Sequence, residues 1–334
     1  MTAFEAAQWR LRFDASPSPR PTPKPPPHNA ILTTLHSIAH RRKPQHRRPA
    51  PERAGKQQKP HPVRNTYRDF RMLWKIEGSE THILGSIHFA NLDPHRLPTT
   101  VAEAFRISHH IVFEADLSAP ADSASLLLPN GTTLKDCVSD ATYAKAFSHW
   151  LRLGLPLDNL SRFTPGAAAL ILHLNHAAKK GYVVERGLDR VLWDGAVREA
   201  KRRGALETVD AQTGALTSSP MAEQASMLEY FVNGDLDFSG LSSRVRAWMH
   251  GNTVPFDTAL TERRRRWPVM FEKLIDQRNM NWVPAITKMA GDKERRLIVV
   301  GALHTVGPVG LPRILSKHGL RLRPRAWHLP ASLR

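Results

Sequence analysis

The sequence predicts an α/β fold: a central, mostly parallel sheet flanked by helices, with a largely helical middle region and a disordered basic N-terminal tail. Three observations carry this. Runs such as Ile83-Leu84, Ile111-Val112-Phe113 and Leu297-Ile298-Val299-Val300 are short and apolar throughout, the pattern of strands buried on both faces of a parallel sheet. The stretches between them are longer and carry helical patterning. Two of the apolar runs also end in the same unit, Gly85-Ser86-Ile87-His88 and Gly301-Ala302-Leu303-His304. Glycine at a strand's end lets the backbone turn sharply or pass close to a neighbour. A histidine just past it lies where open α/β sheets hold their ligands.

Taken in order, the chain starts with residues 1–65, which hold 13 Lys/Arg against 3 Asp/Glu and so carry +10 of the net +18. Pro17, Pro19, Pro21, Pro23 and Pro25 to Pro27 interrupt helix and sheet ladders, and large apolar residues are few. This segment reads as a disordered tail, with a short helix around 30–39. It is either a tether for anionic surfaces or an inert leader. Residues 66–330 read as one folded domain, and 41% apolar content is enough for a sizeable core.

Within that domain, Met72 to Ile76, the turn Glu77 to Glu80, and His82 to Leu84 read as a hairpin. Pro98 opens a helix through Ile107. Ile111 to Asp116 reads as a strand with carboxylates at its end, and Glu114, charged beside so apolar a run, needs a partner. His109 and His110 precede it and read as solvated. From Pro129 to Lys180 the pattern is helical, with His173 and His176 expected on the surface. A further helix is expected to end at Arg202-Arg203-Gly204, followed by a strand over Ala205 to Asp210. Residues 221–290 read as mostly helical. The run Arg263 to Arg266 reads as a solvated face, and Arg278-Asn279 as standing near the end of the helix that begins at Trp267. The strand before His304 and a last strand, Leu320 to Arg323, complete the order.

Several classes are excluded or left without support. The single cysteine, Cys137, rules out an internal disulfide and reads as packing. No apolar run approaches the ~18–20 residues that span a bilayer, so no transmembrane segment is expected. No recognised nucleic-acid module is present, so no specific nucleic-acid partner is expected. Without a secretory signal the expectation is cytoplasmic, with a periplasmic or cell-envelope place as the alternative.

Trp74-Lys75-Ile76-Glu77-Gly78, Leu84 to His88, Leu97-Pro98 and Phe113-Glu114-Ala115-Asp116 resemble the opening of the TraB/GumN family. Gly187-Leu188-Asp189, Leu206-Glu207-Thr208 with Gln212, Arg278-Asn279, and Gly301 to Gly310 continue the resemblance in the family's order. It spans residues 70 to 325, so the folded domain is identified as TraB/GumN-like. The family is similar to Tiki proteases, metal-dependent peptidases, and more distantly to erythromycin esterases. The resemblance implies a mixed α/β core with both Gly-x-x-His motifs in one active site. His88 and His304 take the motif histidines, Glu114 the strand-end acid, and Glu207 and Arg278 the later polar positions.

The expected function on that basis is metal-dependent hydrolysis of a peptide, ester or other small substrate. His88, Glu114 and His304 would hold a divalent transition metal, manganese, cobalt or zinc. Glu207 would serve as general base or orienter, and Arg278 as oxyanion stabiliser or as the partner of Glu114 or Glu207. The alternatives are a metal-free hydrolase with a histidine base, and a non-catalytic binding or regulatory protein.

Overall fold

The apolar runs form a six-stranded sheet. The structure, a computed structural model, describes residues 72–119, 124–234 and 239–329. The expected basic tail, residues 1–65, lies outside the described residues. Strands β1 (Leu73–Ile76) and β2 (Thr81–Ser86) make the expected hairpin, with Leu73 opposite Leu84. They are joined by β3 (His110–Phe113), β4 (Arg202–Ala205), β5 (Arg296–Gly301) and β6 (Leu322–Pro324) in the order β4-β3-β5-β2-β1-β6. The four strands β4, β3, β5 and β2 are mutually parallel, and β1 alone runs against its neighbours β2 and β6. Parallel neighbours cannot be joined by a tight turn, so long helical crossovers separate them in sequence. One consequence governs the site: β2, β3, β4 and β5 all end on the same edge, with Ser86 beside Gly301 and Phe113 beside both Val299 and Ala205.

Side chains alternate between the two faces of a strand, and β5 shows it. Leu297 and Val299 join the larger core, whereas Ile298 and Val300 join a smaller one on the opposite face. The larger core packs against the helices α1 (Thr99–Ile107), α2 (Asp140–Leu153), α3 (Pro165–Lys179), α4 (Leu188–Arg198) and α6 (Met221–Asn233), with α5 (Val209–Thr217) between α4 and α6 in the chain. The helices α7 (Ser239–Met249) and α8 (Val254–Arg266) extend it. The smaller core is covered by α9 (Arg278–Ala290), through Trp282, Val283 and Ile286, and by α10 (Leu311–Lys317), through Leu311, Ile314 and Leu315. Both faces of β2 and β5 are therefore buried along their whole length, which is why Ile83-Leu84 and Leu297 to Val300 are apolar without alternation. No helix among the described residues is long and apolar enough to cross a membrane.

Five expectations need correction. The helix expected to run to Gly204 stops at Arg198; Ala200 takes a left-handed φ of 51°, and Arg202 to Ala205 are strand, not helix end. The strand expected over Ala205 to Asp210 is thus shifted, and Thr208 caps α5 by accepting from the Ala211 N–H. An edge strand with one neighbour can carry exposed arginines, so β4 lacked the apolar signal. His110 is not solvated: it opens β3, and its Nδ1 accepts from Arg202 at 2.9 Å. Arg278 is not near a helix end, because Pro268–Phe271, a π-helical turn Glu272–Gln277 and α9 form one continuous run. The last strand is Leu322–Pro324, two residues later than expected at its start.

Phe113 is 1% exposed and its ring lies 5.2 Å from that of Trp193. Truncating it to alanine is expected to lower the denaturation free energy by about 3–5 kcal/mol, measured by urea unfolding; a loss below about 1 kcal/mol would place β3 outside the core.

Candidate active site

The shared strand edge delivers four of the site's side chains. His88 stands two residues past β2, Glu114 is the first residue past β3, Glu207 is two past β4, and His304 is three past β5. The fifth, Arg278, comes from the first turn of α9. All are brought into one cluster. Glu114, 4% exposed, accepts at Oε1 from the Gly301 N–H (2.6 Å) and at Oε2 from Arg278 (2.7 Å) and the Gln212 amide (2.8 Å). Arg278 donates from Nε and Nη2 to Glu207 Oε1 (2.9 and 2.6 Å), and from Nη1 to the Leu274 carbonyl (2.9 Å) and to His304 Nε2 (3.2 Å). Leu274 lies in the π-helical turn, a geometry that concentrates at functional sites. Trp282 completes the frame: its indole N–H donates to Glu207 Oε2 (3.1 Å), and its ring lies 4.9 Å under the guanidinium.

Each histidine is oriented through Nδ1. The His304 Nδ1 lies 2.7 Å from Asn279 Oδ1, and the Asn279 amide donates to the carbonyls of His304 (3.3 Å) and Val309 (2.8 Å). Since that amide nitrogen is donating, Oδ1 is the acceptor, which places the proton on Nδ1 and leaves Nε2 with a lone pair toward Arg278. The His88 Nδ1 lies 3.1 Å from Asp189 Oδ2, and Asp189 Oδ1 accepts from the Ser86 hydroxyl at 2.8 Å. Its Nε2 lies 3.9 Å from Glu114 Oε1, against 3.5 Å for His304.

The motif glycines explain how two histidines approach this closely. A Cβ on Gly301 would stand 2.5 Å from His88 Nε2, and one on Gly85 would stand 2.8 Å from Thr305 Oγ1. Each glycine leaves room for the loop that follows the other strand.

The charges follow from these partners. Burial opposes ionisation of Glu114, but Arg278 above all, then the two histidines and the Gly301 N–H, hold its pKa well below the ordinary carboxylate range. Burial, helped by the neighbouring Glu114 charge, raises that of Glu207 against the opposing pull of Arg278 and Trp282. His304 is pushed down to about 3 by burial and stays neutral. His88 goes the other way. Its position at the head of a deep cleft opposes charging although 45% of its side chain is accessible, and the Asp189 and Glu114 carboxylates outweigh this and raise it to about 9.

His88, Glu114 and Arg278 border a cavity of about 320 Å³, and so do Asp189 and Gln212; Glu207 and His304 stand behind Arg278 and do not line it. Asp189, Gln212 and Asn279 have no role on sequence grounds alone. Their signal was their place inside the quoted motif blocks, beside Gly187-Leu188, after Leu206 to Thr208, and next to Arg278. His173 corrects an expectation: it is 7% exposed and lines the cavity, with its ring between Phe89 (5.4 Å) and Phe231 (4.8 Å). Its helix α3 is enclosed on most sides. His176 is half-buried against His149 (3.1 Å). The arginine run is not a plain solvated face either: Arg264 pairs with Asp276, Arg266 with Glu262, and Arg263 borders the cavity.

A divalent metal is implied by the family resemblance, and the donors can be tested for it. Both rings use Nδ1 for an outer partner, the arrangement that frees Nε2 for an ion. The 3.5 Å from His304 Nε2 to Glu114 Oε1 is close to the ~3.4 Å edge of a tetrahedron built on ~2.1 Å bonds, whereas the 3.9 Å of His88 is wide. Against a metal, the guanidinium of Arg278 already faces the His304 lone pair. No three His, Cys, Asp or Glu side chains among the described residues are grouped to hold an ion. As it stands the cluster is closed by arginine and does not fit a metal.

The profile of the TraB/PrgY/gumN family matches residues 72–324. Two uncharacterised proteins named YbaP, from Shigella flexneri and Escherichia coli K12, are each 25% identical to this chain, over 235 and 234 residues; these cover 70% of this chain and 87% of theirs. No solved structure matches.

Two outcomes are expected. In the first, His304 and Glu114 have folded pKa values below their unfolded ones, so the unfolded chain binds more protons and stability falls as pH drops below about 6.5, with Glu114 adding to the fall below about 4.3. His88 has the raised value, so its contribution is complete below about 6.5 and lost as pH rises through about 9. The thermal midpoint should therefore peak near pH 6.5, and His88→Gln should flatten the alkaline limb; an unchanged alkaline limb refutes the raised value. In the second, Gly301→Ala must displace the His88 ring, so its proton resonance should titrate closer to 6.5 while the thermal midpoint changes by only a few degrees.

Proposed function

Because this chain belongs to the TraB/PrgY/gumN family, we propose that it hydrolyses an ester or amide at the cluster of His88, Glu114, Glu207, Arg278 and His304. The observation that carries the reading is the convergence of both Gly-x-x-His motifs on the Glu114–Arg278 pair beside a cavity. In this reading His88 is the working base. Its Nδ1 is held by Asp189, which is held by Ser86 in turn, so Nε2 is aimed by a fixed chain of partners. The neutral ring takes a proton from the attacking water. Arg278 has all five of its N–H groups taken by Glu114, Glu207, His304 and the Leu274 carbonyl, so it offers the oxygen that becomes negative in the transition state only the field of its charge and no hydrogen bond. Glu207 serves as its anchor and not as a base, since both its oxygens are engaged and it does not border the cavity. His304, neutral and saturated by Asn279 and Arg278, positions the guanidinium.

A base whose pKa is about 9 is mostly protonated at pH 7. The rate of ester hydrolysis should therefore climb about tenfold per pH unit up to about 9 and level off above it. His88→Ala should lower it by about 10²–10⁴-fold with folding intact. Measured on p-nitrophenyl esters, a rate unaltered by His88→Ala, or a flat profile between pH 6 and 9, sinks the base assignment. Capture of a ligand that survives both His88→Ala and His304→Ala, with no turnover by the wild type, would favour a binding protein.

A second reading keeps manganese, cobalt or zinc as a cofactor, and is favoured by the two Nδ1-anchored rings. It requires Arg278 to withdraw from His304 on binding. At ~100-fold excess over its dissociation constant an ion would add about 2.7 kcal/mol to stability. A thermal shift with metal in the wild type, absent in His88→Ala and in His304→Ala, would support that reading; no shift in any of the three would end it.

A further inference from the structure

The cavity beside the cluster is divided in character. His88 with Asp189, and Glu114 with Gln212 and Arg278, form two hydrogen-bonded sets that meet where His88 Nε2 lies 3.9 Å from Glu114 Oε1. Much of the remaining wall is apolar, including Leu126, Leu174, Leu216, Met227, Phe231 and Phe271, contributed by α3, α5, α6 and the turns around them. Each of these six is less than a tenth exposed, so they form a built wall and not a surface patch. His173 does not interrupt it with charge, because burial pushes its pKa down to about 3 and its ring packs on Phe89 and Phe231. Arg190 and Arg263 also border the space, but Arg190 is paired with Asp194 at 2.9 Å and Arg263 already interacts within the protein. An anionic ligand is thus not what the wall is built for.

We propose that this cavity is an acyl pocket: it takes an uncharged, apolar acyl chain, with the carbonyl carbon at its polar end facing His88 and Arg278. This rests on the hydrolase reading for the reaction, but the pocket makes its own claim about binding. Size sets the chain length. At about 30 Å³ per small group, the ~320 Å³ holds roughly ten non-hydrogen atoms, which suits an octanoyl group and leaves an acetyl group mostly unsupported. Burial of each methylene should tighten binding about fourfold. The reaction adds water across the acyl carbonyl–heteroatom bond, giving the free acid and the alcohol or amine, so no co-reactant beyond water is needed.

The test separates binding from turnover. Calorimetric titration of the full chain with octanamide and with acetamide is expected to show at least a hundredfold tighter binding of octanamide. Leu174→Trp, which fills the wall without touching the polar cluster, should abolish the difference. Should that variant fail to fold, Leu174→Ala enlarges the space and should shift the preference from octanamide toward decanamide. Parallel rates on p-nitrophenyl acetate and octanoate report turnover. Octanamide binding without hydrolysis leaves the pocket standing and removes the hydrolase. Equal binding of both amides, or a preference that neither Leu174 variant changes, overturns the pocket whatever the rates show.

Discussion

The Glu114–Arg278 pair is the interaction on which the rest of the site depends. A carboxylate 4% exposed at the end of a strand buried on both faces is costly unless it is paired and fully hydrogen-bonded. Here each oxygen is used: one takes the Gly301 N–H, the other takes Arg278 and Gln212. The same guanidinium binds Glu207 and faces His304. One buried cation thereby links the ends of β3, β4 and β5 to α9, and Glu114 draws in His88 from β2 through its charge. Removing Arg278 would leave Glu114 and Glu207 without their cation, held only by the Gly301 N–H, the Gln212 amide and the Trp282 indole.

The sheet's topology makes that junction available. Four parallel strands end on one edge, so four different chain segments can place polar groups within a few ångströms while their apolar bodies stay in the two cores. The π-helical turn before Arg278 supplies the Leu274 carbonyl to its Nη1. The electrostatic result is a split between two similar histidines. His304 sits behind the guanidinium and is kept neutral, whereas His88 sits between two carboxylates and is pushed up to about 9. One motif has become part of the frame and the other faces the cavity.

How much of this could be read from sequence depended on the local signal each part carries. Strands β2 and β5 were legible because burial on both faces put apolar residues at consecutive positions, Ile83-Leu84 and Leu297 to Val300, and the paired glycine and histidine marked their ends. Glu114 was legible for the same reason, as a charge that an apolar strand cannot leave alone. Strand β4 was not, because an edge strand with exposed Arg202 and Arg203 has no apolar period, and basic residues before a glycine read as a helix end. Arg278 had no local signal, since an arginine in a helix is ordinarily solvated, and both it and Glu207 take their roles from the family resemblance. Asp189 looks locally like any acidic residue in a helix's first turn, and only the fold shows that it holds His88. The burial of His173 depends on how many neighbours enclose α3, which one helix's pattern does not report.

The most direct test of the central claim is a double-mutant cycle on Glu114→Gln and Arg278→Met, read as urea denaturation free energies. Arg278→Met is expected to cost about 3–5 kcal/mol by leaving the Glu114 charge buried without its cation, and Glu114→Gln less, because Arg278 keeps Glu207 as a partner. The double variant should lose less than the sum, with a coupling of at least about 1.5 kcal/mol. Additivity within about 0.5 kcal/mol would mean that the two groups do not stabilise each other, and that the site is held together by something other than this pair.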